Sequence, residues 1–316
     1  MGKWTYRRGL HDLGGGAWAY LQPDGVWGWS NAGLIVDGEA SLLVDTLFDE
    51  PLTAAMLETM ADATGIGDGE ITTLVNTHAN GDHTFGNRLV TRAEIIASAA
   101  SAEEMAETPP AMLAAMMAQA PDLGAMGAYL EQIFGSFDFA GVRLKTPSRT
   151  FSGSLELTVG DTAVRLIEVG PAHTRGDVLV HVPARRLVYS GDILFIEGTP
   201  VMWAGPVGNW IRACEAIMAM DVEVIVPGHG PITDKAGVAG VRDYLVYVDR
   251  QARARFDAGM SAGEAARDIA LGDYAAWGDA ERIAVNVDTL YKEYRGENTP
   301  PDIPRLFTLM AELARR

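Results

Sequence analysis

The first half of the chain alternates strand-like and helix-like segments. "AWAYLQPDG" at 17–25, "NAGLIVDGE" at 31–39 and "ASLLVDT" at 40–46 are β-rich and punctuated by Gly, Asp and Pro. Their close spacing predicts antiparallel strands joined by turns. The period then changes. Residues 50–63 place Leu52, Met56, Leu57 and Met60 at helical spacing, and Ile71 to Val75 reads as a buried strand. Residues 100–146 are rich in Ala, Met and Glu, broken by "TPPAML" and "APDLGAM", and predict two or three helices. Met105, Met112, Met116, Met117 and Met126 fall here. They fit either a core stripe or an adaptable lid over an apolar substrate, because methionine repacks easily.

Strands return from about 147 in "SLELTV", "TAVRLIEV", "DVLVHVP", "RRLVYSG" and "VEVIVPG". Before the last of these, "NWIRACEAIMAM" reads as an amphipathic helix that buries Cys214 as an inert thiol. Residues 236–316 are mostly helical, with apolar stripes at Tyr244, Leu245 and Val248 and at Ile283, Val287, Leu290 and Tyr291. "NTPPDIPRL" reads as a turn or short extended link. The pattern predicts an α/β catalytic domain over 1–235, with a helical insertion at about 100–146. A helical C-terminal extension, 236–316, would pack on that domain or form a contact in a homo-oligomer.

Composition narrows the function. The 316 residues carry 42 acids against 25 bases, a net charge of −17. That field repels nucleic acid and anionic membrane surfaces and leaves a small-molecule substrate as the expected partner. A single cysteine rules out an intrachain disulfide. No apolar run has the length of a membrane span. The opening residues have arginines but no apolar core of a secretory signal, so a cytoplasmic location is expected.

The chemistry gathers at strand ends. "ITTLV" runs into His78, Asn80, Asp82 and His83; "VRLIEV" runs into His173; "LVYS" runs into Asp192; "VEVIV" runs into His229. Four of the six histidines sit just past such ends. In open α/β sheets ligands bind at that edge. Neutral imidazole and carboxylate are zinc's usual donors in catalytic sites that keep a position open for water. His11 is expected at the surface, and His181 within a strand. No G-x-S-x-G, Walker A or clean G-x-G-x-x-G is present.

"HANGDH", "GPAHTRGD", "YSGDILF" and "VPGHGP" follow one another in this order, preceded by "SLLVDT" with Asp45. The sequence thereby resembles the metallo-β-lactamase superfamily over roughly residues 20–235. The resemblance implies a four-layer αββα sandwich with a metal centre at one edge. It implies a first ion held by His78, the residue at 80 and His173, and a second held by Asp82, His83 and His229, with Asp192 as bridge. The departure is Asn80, where the family has the second histidine of H-x-H-x-D-H. An amide is a weaker donor, so one tightly held zinc is expected, with two ions, or iron or manganese, as alternatives. One subclass of metallo-β-lactamases resembles this: it loses a different histidine of the same site to asparagine and works with one zinc. Asp45, Thr174 and Asp177 are expected to orient the ligands.

The resemblance further implies a metal-bound hydroxide acting on a small ester, lactone, thioester or related acyl compound. Asp82, Asp192 and Asn80 are the candidate catalytic residues. Asn80, Phe195, Trp203 and Trp210 are candidates to line an apolar or aromatic substrate pocket. The alternatives are a lyase or decarboxylase on the same fold, a mononuclear-iron oxygenase, and a non-catalytic metal-dependent sensor.

Overall fold

The computed structural model describes residues 4–23, 25 and 27–315. Two sheets face each other. The first holds β1 (Gly9–Gly14), β2 (Ala17–Leu21), β3 (Ala32–Asp37), β4 (Ala40–Val44), β5 (Thr73–Val75), β6 (Glu94–Ser98) and β7 (Arg149–Phe151), in that spatial order. The pairs from β1 to β4 are antiparallel, and those from β4 to β7 are parallel. The second sheet holds β8 (Ser154–Val159), β9 (Thr162–Glu168), β10 (Val178–Val182), β11 (Leu187–Tyr189) and β12 (Val224–Val226), again in spatial order. It is antiparallel up to β11 and parallel between β11 and β12.

Strand periodicity decides what each layer touches. Leu42 and Val44 join the core between the sheets, with Val178, Val180, Leu187 and Tyr189 opposite. Leu43, between them in sequence, turns to the outer face instead. There it meets Met56, Leu57 and Met60 of α1 (Glu50–Thr64). Asp49 starts that helix by accepting from the Leu52 amide at 2.8 Å, and Gly65 ends it at φ 75.

α2 (Gly81–Thr84) is a single turn between β5 and β6. The predicted insertion contains α3 (Ala99–Glu107), α4 (Pro110–Gln119) and α5 (Gly124–Phe134). Outside the second sheet lie α6 (Val207–Ala219), α7 (Lys235–Asp257), α8 (Ala262–Asp268), α9 (Ile283–Arg295) and α10 (Ile303–Leu313). Leu179, Val188 and Ile225 from that sheet share one apolar cluster with Trp210, Tyr244, Leu290 and Met310. The result is helix on sheet on sheet on helix, the four-layer αββα sandwich. Among the described residues no helix is long and apolar enough to cross a membrane.

Three readings of the pattern need correction. β1, β6 and β7 are strands that the pattern does not single out: β1 is glycine-rich, and β7 is a three-residue edge strand with largely exposed side chains. "NTPPDIPRL" is only partly a link, since α10 begins at Ile303 with a proline in its first turn, where its missing N–H costs nothing. His11 is buried, with Nε2 2.8 Å from the Arg7 carbonyl.

Candidate metal centre

β5 stops at Val75, and an amide pair shapes the loop beyond it. Asn87 Nδ2 donates to Asn76 Oδ1 at 2.8 Å, and Asn76 Nδ2 donates to the His83 carbonyl at 3.1 Å. This clamps the loop so that α2 delivers Asp82 and His83 together. β9, β11 and β12 all run in one direction, and the loops beyond their ends carry His173, Asp192 and His229. The loop holding His229 passes so close to Asp192 that a Cβ on Gly228 would lie 1.9 Å from Asp192 Oδ1. Only glycine fits there. Asn31 secures the same loop, donating from Nδ2 to the carbonyls of Pro227 and Gly230 at 3.0 and 2.8 Å.

Each imidazole is anchored through Nδ1. His83 Nδ1 is 3.0 Å from Asp45 Oδ2, His173 Nδ1 is 2.6 Å from the Val201 carbonyl, and His229 Nδ1 is 3.1 Å from the Trp29 carbonyl. His78 Nδ1 is 3.0 Å from Thr77 Oγ1, whose own proton goes to Asp45 Oδ2 at 2.7 Å. All four partners are acceptors, so all four rings donate from Nδ1, and each ring, when neutral, presents a lone pair at Nε2. Those lone pairs converge on carboxylates. His83 Nε2 lies 3.1 Å from Asp192 Oδ1. His173 and His229 Nε2 each lie 3.3 Å from Asp192 Oδ2, and His78 Nε2 lies 3.7 Å from it. His229 Nε2 is also 3.2 Å from Asp82 Oδ2.

Lone pairs facing carboxylate oxygens at these distances repel unless positive charge lies between them. The titration tendencies report the same demand. Burial alone would lower His229, but Asp192 and Asp82 outweigh it and raise the ring to about 9. Burial opposes the charge on His83 too, and Asp192, Asp82 and Asp45 overcome it, holding the ring well above its ordinary value. Burial, with repulsion from His83 next, holds His78 well below its own. Burial would raise Asp82, yet His83 and His229 bring it down to about 2. Nε2 of His78, Nε2 of His83 and Oδ1 of Asp192 are buried without hydrogen-bond partners. His78, His83 and Asp192 form one group with metal-ligand spacing, and Asp82, His83 and His229 form another. A divalent cation fits this donor set.

Asn80 sits on the His173 side. Its Nδ2 is 3.2 Å from His173 Nε2. Because that nitrogen is an acceptor, the amide must present its NH2 and not its oxygen. The asparagine therefore occupies a lone pair that would otherwise face an ion.

The cluster opens into a cavity of about 390 Å³. Asn80, Asp82, Asp192 and His229 form its polar end; Phe195, Trp203, Trp27, Phe134 and Phe307 are among its apolar walls. Met112, Leu113 and Met116 of α4 and Ile303 of α10 also line it. Phe195 stacks on His229 at 5.0 Å with the rings 4° from parallel. Trp210 does not line the cavity. It is fully buried behind His173, and its Nε1 donates to the Ile193 carbonyl at 2.9 Å. Thr174 and Asp177 bond to each other, with Thr174 Oγ1 2.7 Å from Asp177 Oδ1, and close the loop beyond His173 without touching a ligand ring. Burial pushes Asp177 up to about 8. Asp45 binds His83 directly, and also takes the Thr77 amide at 2.7 Å. The pattern does not single out Thr77, Trp27, Phe307 or Arg282, the last of which also lines the cavity. A wider depression of about 580 Å³ between α8 and α10 lies away from the histidines, and its Arg267 and Arg305 are paired with Glu312 and Asp288.

The family model described as the metallo-beta-lactamase superfamily matches residues 25–229. The human and bovine proteins named acyl-coenzyme A thioesterase MBLAC2 are each 25% identical over 79 residues. That match spans 23% of this chain and 28% of theirs. Among solved structures, a metallo-beta-lactamase from Pontibacter korlensis superimposes with a TM-score of 0.58 at 17% identity, covering 76% of this chain and 99% of that one. The sec-alkylsulfatase Pisa1 from Pseudomonas sp. gives 0.68 at 15% identity, over 92% of this chain and 50% of its own.

Proposed function

The chain belongs to the metallo-β-lactamase superfamily, and we propose that it is a zinc-dependent hydrolase of a small acyl compound, an ester or thioester with an apolar body. The observation that supports this most is the set of four Nε2 lone pairs converging on two carboxylates at the end of an aromatic cavity. A partial likeness to a thioesterase points the same way.

Asp82, His83, His229 and Asp192 would hold the tighter ion, because this side has a carboxylate of its own. His78 and His173, with Asn80 between them, would make a weaker second position. When bound, zinc supplies a Lewis acid and draws the pKa of a water ligand toward neutrality. The residues do the rest. Asp82 lines the cavity as an anion and takes the proton of the attacking water. The water oxygen bonds to the acyl carbon, the C–O or C–S bond breaks, and the proton passes from Asp82 to the leaving oxygen or sulfur. Asn80 has a second amide proton beyond the one given to His173, and this faces the developing oxyanion. Asp45 holds His83 in the tautomer the ion needs. The walls of Trp27, Phe134, Trp203 and Phe307 exclude bulk water.

The test is turnover by zinc-loaded protein of p-nitrophenyl esters and acyl-coenzyme A thioesters of increasing chain length, in water enriched in heavy oxygen. Heavy oxygen in the product carboxylate, with rates rising as the acyl chain lengthens, is the expected result. Turnover that leaves the product unlabelled would mean lyase chemistry. No turnover across the panel would overturn the ester and thioester reading and favour a metal-dependent sensor.

A further inference from the structure

Arg282 is the single lysine or arginine among the described residues lining the cavity. It lies just before α9, outside the stretch that matches the family model. Its side chain is held from several directions. Nη1 donates to the Thr199 carbonyl at 2.9 Å, and Nη2 is 3.0 Å from Asp279. The guanidinium carbon lies 4.4 Å over the Trp27 ring and 5.3 Å from the centre of Phe195. Phe195 is the ring stacked on His229, so the charge stands one aromatic ring away from the metal cluster. Arg282 is only 3% exposed, and its Nε is buried with no hydrogen-bond partner. An unmade hydrogen bond on a buried charged group is costly, and guanidinium offers a planar edge that matches carboxylate or sulfate. The other cavity walls are largely aromatic and methionine-rich, suited to an aliphatic or aromatic body.

We propose that Arg282 binds an anionic head on the substrate, so that the substrate is an apolar chain whose carboxylate or sulfate lies near the bond that is cut. This rests on the cavity being the active site. Asp82, Asp192 and Glu104 would repel such a head; the ion offsets the first two, Arg175 lies 3.7 Å from Glu104, and Arg282, though paired with Asp279, remains the cation of the cavity wall. The head completes the free Nε–H, while the chain runs between Trp27, Phe134 and Phe307 toward α4.

Binding, not turnover, tests this, so its outcome is independent of whether the protein is a hydrolase. Decanoate, decyl sulfate and decanol are titrated into the zinc-loaded protein and followed by the change in intrinsic tryptophan fluorescence, to which Trp27 and Trp203 of the cavity wall contribute. In Arg282→Met, an anionic ligand should bind about 10–100-fold more weakly than in wild type, with decanol nearly unchanged. Whichever anion loses more identifies the head as carboxylate or sulfate. Equal losses for decanol and the anions would make Arg282 a purely structural clamp and overturn the proposal. If the variant does not fold, crystals of zinc-loaded wild type grown with each anion decide instead. The head should lie within hydrogen-bond distance of Arg282 Nε. A head on the zinc with Nε unengaged refutes the assignment.

Discussion

On one side of Asp192 stand Asp82, His83 and His229; on the other stand His78, Asn80 and His173. The two sides share one bridging residue, whose Oδ1 faces His83 and whose Oδ2 faces the other three rings. They are anchored equally well: every ring has an acceptor on Nδ1, from Asp45, Thr77, Val201 or Trp29. What differs is charge and the availability of lone pairs. One side adds a carboxylate, while the other adds an amide whose NH2 already lies 3.2 Å from His173 Nε2. On the reading proposed above, the site would keep its geometry on both sides while only one kept a strong hold on an ion.

Replacing the shared residue should erase the difference. Asp192→Ala removes a contact from both sides, and with about 3 kcal/mol per ligand contact each ion loses about a hundredfold in affinity. Desalted protein should carry background metal and no measurable turnover; wild-type metal content in this variant would show that the ion sits elsewhere.

Chelation strips both sides without changing a residue. If the ion is normally present at about a thousand times its Kd, its removal costs about 4 kcal/mol, or about 10 °C in Tm for a chain of this size. Calorimetry with and without chelator reads this directly. An unchanged Tm would mean that protons alone satisfy the cluster.

Asn80→His should make the two sides alike. A new imidazole donor is worth about 3 kcal/mol, a gain of about a hundredfold for the second ion. Metal counting after desalting should rise toward two ions per chain. Two tightly held ions in the unmodified protein would show instead that the amide does not weaken its side.

The smallest effect is expected from Asp45→Asn, which leaves every ligand in place. The amide can no longer accept from His83, Thr77 Oγ1 and the Thr77 amide together. Metal affinity should drop by about 10–100-fold, the usual cost of losing an orienting partner. Because Asp45 reaches His83 directly and His78 only through Thr77, the tighter ion should suffer first, which zinc titration in stages would reveal.

The residues gathered in the candidate metal centre were legible in the sequence because chemistry repeats there: a strand, a short turn, then histidine or aspartate. The strands of the inner core were legible as short apolar runs bounded by Gly, Asp and Pro, but which of Leu42, Leu43 and Val44 faces the other sheet emerges only from the fold. Other features have no such local mark. Trp203 and Trp210 lie in the same aromatic stretch, yet one lines the cavity and the other is packed behind His173, and only the turn of the loop and the start of α6 separate them. Proline opens α10 and also ends helices, so "PPDIPRL" is ambiguous by itself. Arg282 looks like one polar position on a helical stretch; its meaning depends on the chain folding back to bring it against Trp27 and Phe195.

The cavity is walled by parts from separate stretches of the chain. Met112, Leu113 and Met116 come from the inserted helices, and Arg282, Ile303 and Phe307 come from beyond residue 235, while every metal-facing imidazole lies between His78 and His229. Selection acting on diet therefore has targets that selection acting on chemistry does not share. A duplicated copy of this gene can drift in what it accepts through its helices alone, and descendants with unlike substrates would still carry the same histidines in the same order.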